Sequence, residues 1–386
     1  MNFKLNSEQQ LLQDSVRRFI DKTYAFEART TLLKNGNFTK QWDTLATNGW
    51  LAAALPDDCG GLGGSILDTT LIAHEFGRGL VVEPYLGCAV LAAQTLAAAA
   101  NAEQKETLLP AIAEGSRRLA LAYSEPFARS NPAFVRLRAE QRGDSYVLTG
   151  RKTLVLGAVG ADSFLVSARI ADESGDAAGI SLFLVDAGSP GVTQHILPLH
   201  DGTEAAELVF DGVQVPRSAL VGEAGQGMAA LEHGLSHATA ALCAELVGVA
   251  EKAIELTADY LKIRKQFGVP IASFQALQHR MADMAAELEL SRSTLYVLLY
   301  SMENDESPAR QQTLSQAKAL IGRMARSVCG QAIQLHGGIG MTEECAVGHY
   351  FKRAIVADAL FGNSDQHDQA LAAAVQAALS QSAEMV

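Results

Sequence analysis

Apolar and polar positions along the chain fall into three blocks. In the first, Leu11, Leu12, Val16, Phe19 and Ile20 recur at helical spacing, and Ser7 with Gln10 reads as the capping box that opens this run. A Gly/Pro cluster at 56–64 (PDDCGGLGG) predicts a loop. Helical patterns resume over 65–80 and 84–99, with a shorter one at 101–114. The Ala-rich run at 91–102 reads as a packed helix rather than a linker, because Ala is the strongest helix former.

The texture changes near residue 120. Short runs of strand character appear at Tyr146–Leu148, Ser163–Ser167, Ile180–Val185 and Leu208–Phe210. Turn residues separate them at Thr149-Gly150, Ser174-Gly175 and Gly188-Ser189-Pro190. From 224 onward the pattern is helical again. Helices are predicted over 226–266, 271–303, 308–335 and 365–383, the first stopping ahead of Pro270 and the third at Gly337-Gly338. The expectation is an α+β chain with an N-terminal helical domain (1–118), a middle antiparallel β domain (119–222) and a C-terminal helical bundle (223–386). No repeat at solenoid spacing is visible.

Composition narrows the function. The chain has 386 residues, enough for two or three domains, and a formal net charge of −12. It carries no Lys/Arg cluster of the kind a nucleic-acid binder displays, so DNA and RNA are not expected partners. An anionic small ligand needs only a few local positive groups and stays open. Cys59, Cys88, Cys243, Cys329 and Cys345 form no CxxC pair and read as free thiols of a cytoplasmic protein. The N-terminus is polar rather than signal-like, and no stretch approaches the length of a membrane span.

Four segments carry a resemblance. They are Ser124-Glu125-Pro126-Phe127-Ala128-Arg129-Ser130; Phe210-Asp211-Gly212-Val213-Gln214-Val215-Pro216 with Leu220-Val221-Gly222; Arg264-Lys265-Gln266-Phe267-Gly268-Val269-Pro270-Ile271 with Phe274-Gln275; and Gln334-Leu335-His336-Gly337-Gly338-Ile339-Gly340 with Thr342-Glu343. In order and spacing they resemble the acyl-CoA dehydrogenases. The texture of 244–280 is most similar to small subunits of bacterial two-subunit members, of the pimeloyl-CoA dehydrogenase and steroid side-chain type. The resemblance implies FAD shared between subunits of a homo- or hetero-tetramer, acyl-CoA as substrate and electron-transferring flavoprotein as acceptor.

By the same resemblance, Arg264 serves the FAD diphosphate, where a planar fork of donors suits phosphate. Phe267 and Gln275 stand near the adenine, and Gln334, Gly337 and Gly338 complete the cofactor surface, with no Cβ to hold the backbone away. Ser124 falls near the flavin ring, Ser130 near the acyl-CoA, and Asp365 on a position that contacts flavin. Each has an ordinary alternative: a solvated helix-end arginine, packing residues, a helix C-cap, loop serines, or an acid opening the last helix. His336 reads as a packed or capping residue. Two departures stand out. The family's Trp-Ile-Thr strand beside the flavin is Leu154-Val155-Leu156 here, without the threonine hydroxyl, and Arg129 replaces a loop glycine.

The family reaction removes an α proton and transfers a β hydride to the flavin, and the weak acidity of the α proton calls for a positioned carboxylate. Counted without gaps, Lys352-Arg353-Ala354 matches the family's Arg-Asp-Ala, and the glutamate position falls on Phe361. A second group of members places the base 29 residues before the QFG phenylalanine, which here is Ala238. Neither residue takes a proton. Glu245 is the next acid along that helix, about 10 Å further on, and is the one weak candidate. Three readings follow: a subunit whose related partner supplies the base, a self-sufficient dehydrogenase using an unusual base such as Glu245 or Asp365, and a non-catalytic acyl-CoA or flavin-binding module.

Overall fold

The computed structural model describes residues 4–36, 38–128, 130–170, 178–305 and 307–384. Arg129 and the Ser174-Gly175 turn lie outside them. The chain opens with helices α1 (Ser7–Thr23), α2 (Phe26–Lys34), α3 (Trp42–Thr47) and α4 (Ile66–Gly79). A π-helical stretch, Tyr85–Ala92, then runs into α5 (Ala93–Ala99), followed by α6 (Ala102–Ala113). The capping box of α1 sits one residue earlier than predicted: the Asn6 side chain accepts from the Gln9 amide, and Gln9 reaches back to the Asn6 amide. Asn and Ser both cap well, and here Asn6 is the residue in extended backbone.

The middle block is one sheet of β1 (Leu119–Ala122), β2 (Arg138–Arg142), β3 (Ser145–Leu156), β4 (Ser163–Arg169), β5 (Ile180–Asp186), β6 (Val192–Pro198), β7 (Glu204–Pro216) and β8 (Leu220–Val221). Its order is β6-β7-β3-β2-β4-β5-β8, with β1 beside β4. Pairing is antiparallel except that β1 runs parallel to β4 and β2 meets β4 in parallel at one residue pair. Phe164, Phe183, Phe210, Leu148 and Val166 are fully buried in its core. Strands β3 and β7 are longer than the short apolar runs suggested, because bulges carry β3 past its polar positions. Register shifts fall between Leu148 and Gly150 and between Lys152 and Val155.

The last block holds α7 (Gly227–Ile263), a small hairpin of β9 (Lys265–Gln266) and β10 (Val269–Pro270), α8 (Gln275–Asn304), α9 (Ser307–His336), α10 (Ala346–Ala359) and α11 (Ser364–Glu384). Helix α10 was not anticipated. Residues 264–266 and 271–274, expected to be helical, instead belong to the hairpin and a single 3₁₀ turn that follows it. No helix among the described residues is long and apolar enough to cross a membrane.

Two compact units emerge: residues 1–31, 70–81 and 239–386, and residues 32–69 and 82–238. Within the first, α4 crosses α7 closely. A Cβ at Gly77 would strike the Glu245 carbonyl, and one at Gly248 the His74 carbonyl. That closeness lets an ion network form. Glu75, fully buried, receives Arg17 at 2.7 Å, while Glu251 receives Arg78 at 2.5 Å and lies 3.1 Å from the His74 ring. Burial pushes both carboxyls up, but the His74 hydrogen bonds and the arginine charges outweigh it and hold each at about 2.

Candidate functional site

In the first unit, α7 ends at Ile263 and the chain turns through the β9–β10 hairpin, whose return is fixed by the Ile271 amide donating to the Arg264 carbonyl at 2.8 Å. The knuckle presents Arg264, Phe267 and Gln275 to solvent. Among the described residues no carboxylate pairs with Arg264. Phe267 is 91% exposed at φ 54° and meets the Phe274 ring edge-on, with centroids 6.1 Å apart. A large apolar side chain this exposed, in the left-handed region, is held against its own preference.

The end of α9 lies beside this knuckle. His336 is buried and stacks on Tyr260 of α7, one turn before Arg264, with ring centroids 4.4 Å apart. Its Nδ1 lies 2.8 Å from the Ala332 carbonyl, and burial pulls its pKa below the ordinary histidine value against that carbonyl's opposing effect. His336 is therefore a packed residue, as its place in the sequence implied. The stack brings the exposed Gln334 and the Gly337–Gly338 turn to the same end of the unit as Arg264. Gly337 has φ 69°, and an added Cβ at either glycine would meet nothing within 4 Å. An unpaired guanidinium, two amide side chains and open backbone suit the diphosphate and adenine of FAD. Asp365 stands elsewhere: it opens α11, is exposed, and lies 3.8 Å from Arg323.

In the second unit, Ser124 and Ser130 sit on the segment between β1 and β2. Glu125 organises it. Its carboxylate accepts the amides of Arg136 at 2.8 Å and Leu137 at 3.0 Å and the Lys152 ammonium at 2.8 Å. Lys152 also donates to Ser167 Oγ and the Tyr123 carbonyl, and burial lowers its pKa to about 8 despite Glu125. The Ser-Glu-Pro match thus contains a structural clamp that the sequence did not disclose. Ser124 contributes its carbonyl to the Thr153 amide at 2.9 Å, which ties the loop to the bulge of β3 before Leu156. Leu156 offers no hydroxyl there.

The two positions that the resemblance assigns to the base carry no acid. Ala238 is fully buried. Phe361, between α10 and α11, sits at φ 59° and is half-buried. Glu245 is not poised for chemistry: Arg353 of α10 donates to it at 2.6 Å, and both side chains are largely buried, 14% and 13% exposed. The guanidinium therefore occupies a carboxylate oxygen that a base would need free. This 108-residue pairing had no signal in the sequence beyond the two residue types.

Backbone strain falls in the same segments. Non-glycine residues at positive φ among the described residues are Leu80, Phe127, Ser130, Leu154, Phe267 and Phe361. All but Leu80 fall in the segments singled out from sequence. Such residues cost about 1–3 kcal/mol each and cluster where function requires them.

Comparison with known proteins agrees. Profiles of the acyl-CoA dehydrogenase N-terminal, middle and C-terminal domains match residues 6–116, 120–213 and 225–376. The chain is 31% identical to the probable acyl-CoA dehydrogenase YngJ of Bacillus subtilis, over 95% of this chain and 97% of that one. It superposes on butyryl-CoA dehydrogenase from Megasphaera elsdenii with a TM-score of 0.90 at 26% identity, covering 97% and 100% of the two chains. A chain of the ChsE4–ChsE5 complex from Mycobacterium tuberculosis gives 0.87 at 26% identity, covering 97% and 99%. The protein belongs to the acyl-CoA dehydrogenase family of FAD-dependent oxidoreductases.

Proposed function

We propose that this chain is one subunit of a heteromeric acyl-CoA dehydrogenase that forms a 2,3-enoyl-CoA, with a related partner chain supplying the catalytic base. The observation that carries the reading is the combination of Ala238 and Phe361 at the two base positions with Glu245 locked to Arg353. The similarity to a chain of a two-protein complex supports it. Arg264, Phe267, Gln275, Gln334 and the Gly337–Gly338 backbone hold the cofactor at its diphosphate and adenine end. Ser124 stands at the flavin ring, and Ser130 takes the acyl-CoA. FAD held there would supply a hydride acceptor for Cβ, with electron-transferring flavoprotein as the onward acceptor that the resemblance implies. What this chain lacks is the group that takes the α proton.

The test separates proton removal from redox chemistry. The chain is purified alone and also co-expressed with candidate related dehydrogenase chains that carry an acid at a base position. Loss of the α proton to deuterated water is then followed by NMR on a saturated acyl-CoA, beside turnover with an artificial electron acceptor. The expected result is neither exchange nor turnover for the chain alone and both for the pair. Turnover by the chain alone overturns the reading in favour of a self-sufficient enzyme.

A further inference from the structure

Phe127 is unused by the site described above. It is 86% exposed at φ 69°. The Ala128 amide donates to the Glu125 carbonyl at 3.1 Å, closing a tight turn with Pro126 at its second position and Phe127 at its third. Proline followed by positive φ is the type II pattern, whose third position favours glycine. Phenylalanine there gains nothing from packing and costs backbone energy, so folding does not explain it. The turn is also rigidly held, since Glu125, the residue that opens it, is clamped by Lys152, Arg136 and Leu137. Arg136, whose amide Glu125 grips at 2.8 Å, is exposed, and its guanidinium lies over the Phe134 ring at 4.7 Å.

A fixed, solvent-facing aromatic ring and a guanidinium steadied on a second ring, both anchored on one buried carboxylate, suit an adenine nucleotide. The ring stacks on the base, and the cation meets phosphate. In a chain of net charge −12 such a local positive group is selective for an anion. We propose that Phe127 and Arg136 bind the adenosine phosphate end of CoA, so that the Glu125-clamped loop grips the substrate by its nucleotide as well as through Ser130. This rests on the reading of Ser124 and Ser130 as flavin- and acyl-CoA-facing residues. FAD carries an adenine nucleotide too, and CoA is preferred because Ser130 shares the loop.

Isothermal titration with a saturated acyl-CoA, free CoA, 3′-phospho-ADP and FAD tests this on the chain purified with its partner, for wild type, Phe127→Gly, Phe127→Tyr and Arg136→Gln. Thermal melting accompanies each variant. The expected result is about fivefold weaker CoA and 3′-phospho-ADP binding for Phe127→Gly, the scale of one stacked ring. Phe127→Tyr should bind like wild type, Arg136→Gln should bind more weakly with less salt dependence, and FAD affinity should be unchanged throughout. Phe127→Gly should melt no lower than wild type, because glycine suits the turn. Unchanged CoA binding by Phe127→Gly overturns the inference while leaving the acyl-CoA reading intact, and so does a loss confined to FAD. Wild-type protein that binds neither acyl-CoA nor CoA overturns both.

Discussion

The knuckle at Arg264–Gln275, joined to the Gln334–Gly338 turn, and the two base positions had opposite fates. The first keeps what ligand binding needs: an unpaired cation, open backbone and an exposed ring held at a costly φ. The second carries no acid. A fully buried alanine and a half-buried phenylalanine occupy the positions that the resemblance assigns to the base, and Glu245, the next acid along α7 after Ala238, is engaged by Arg353. Phe361 nevertheless retains the left-handed backbone of a special position. Binding and proton transfer are separable properties of one scaffold, because the first depends on distributed backbone and charge while the second rests on a single group.

The largest effect that would sharpen this contrast is a gain of function. Phe361→Glu places an acid on a loop whose conformation is already set, since the Phe361 carbonyl, which a side-chain change leaves in place, lies 3.2 Å from His367 Nε2. Exchange of the acyl-CoA α proton, followed by NMR, should rise at least about a hundredfold over the wild-type chain. No gain in a folded, flavin-bearing variant would mean that the loop does not face the substrate, and the contrast would break.

A second experiment concerns Glu83, the acid among the described residues whose pKa lies in the range of a general base. Burial raises it to about 7 against the Gln41 amide, which donates to it at 3.0 Å. Since the folded pKa exceeds the unfolded one, the native state binds the extra proton. Stability is therefore highest below about 4.5 and falls as pH rises through about 7. Glu83→Gln should remove this dependence and stabilise the protein at pH 8 by on the order of 3 kcal/mol, read by denaturant melts at pH 5 and 8. Proton exchange by the chain with its partner should not change. A loss of exchange would make Glu83 an overlooked base. The Glu75–Glu251 network has the opposite sign, with both carboxyls held at about 2, so its contribution is complete above about 4.5 and fades in acid.

The smallest expected effect is on the retained side. Arg264→Gln should weaken FAD binding about tenfold, the scale of one exposed charge-assisted phosphate contact, measured by flavin release on dilution. Full retention of flavin would show that the exposed arginine is only a solvated helix end.

Much of this was legible along the chain. Periodicity separated the helical, strand and helical blocks, because amphipathic helices and half-buried strands repeat at 3.6 and 2 residues wherever one face is buried. The resemblance to the family picked out the four matching segments, and counting from them transferred its two base positions to Ala238 and Phe361. What escaped was decided by contacts distant in sequence or by backbone hydrogen bonding. The hairpin at 265–270 replaced a helix end because its chain direction is set by the Ile271–Arg264 bond. Helix α10 was hidden behind the glycine-rich segment, its apolar residues Val347, Tyr350 and Ala354 buried only by tertiary packing. Glu245 looked available until Arg353 was brought to it from 108 residues away, and the Ser-Glu-Pro motif did not reveal that its glutamate would be the buried partner of Lys152. Sequence specifies which side chains can take a role, but whether a carboxylate is free or neutralised depends on what folding places within 3 Å of it.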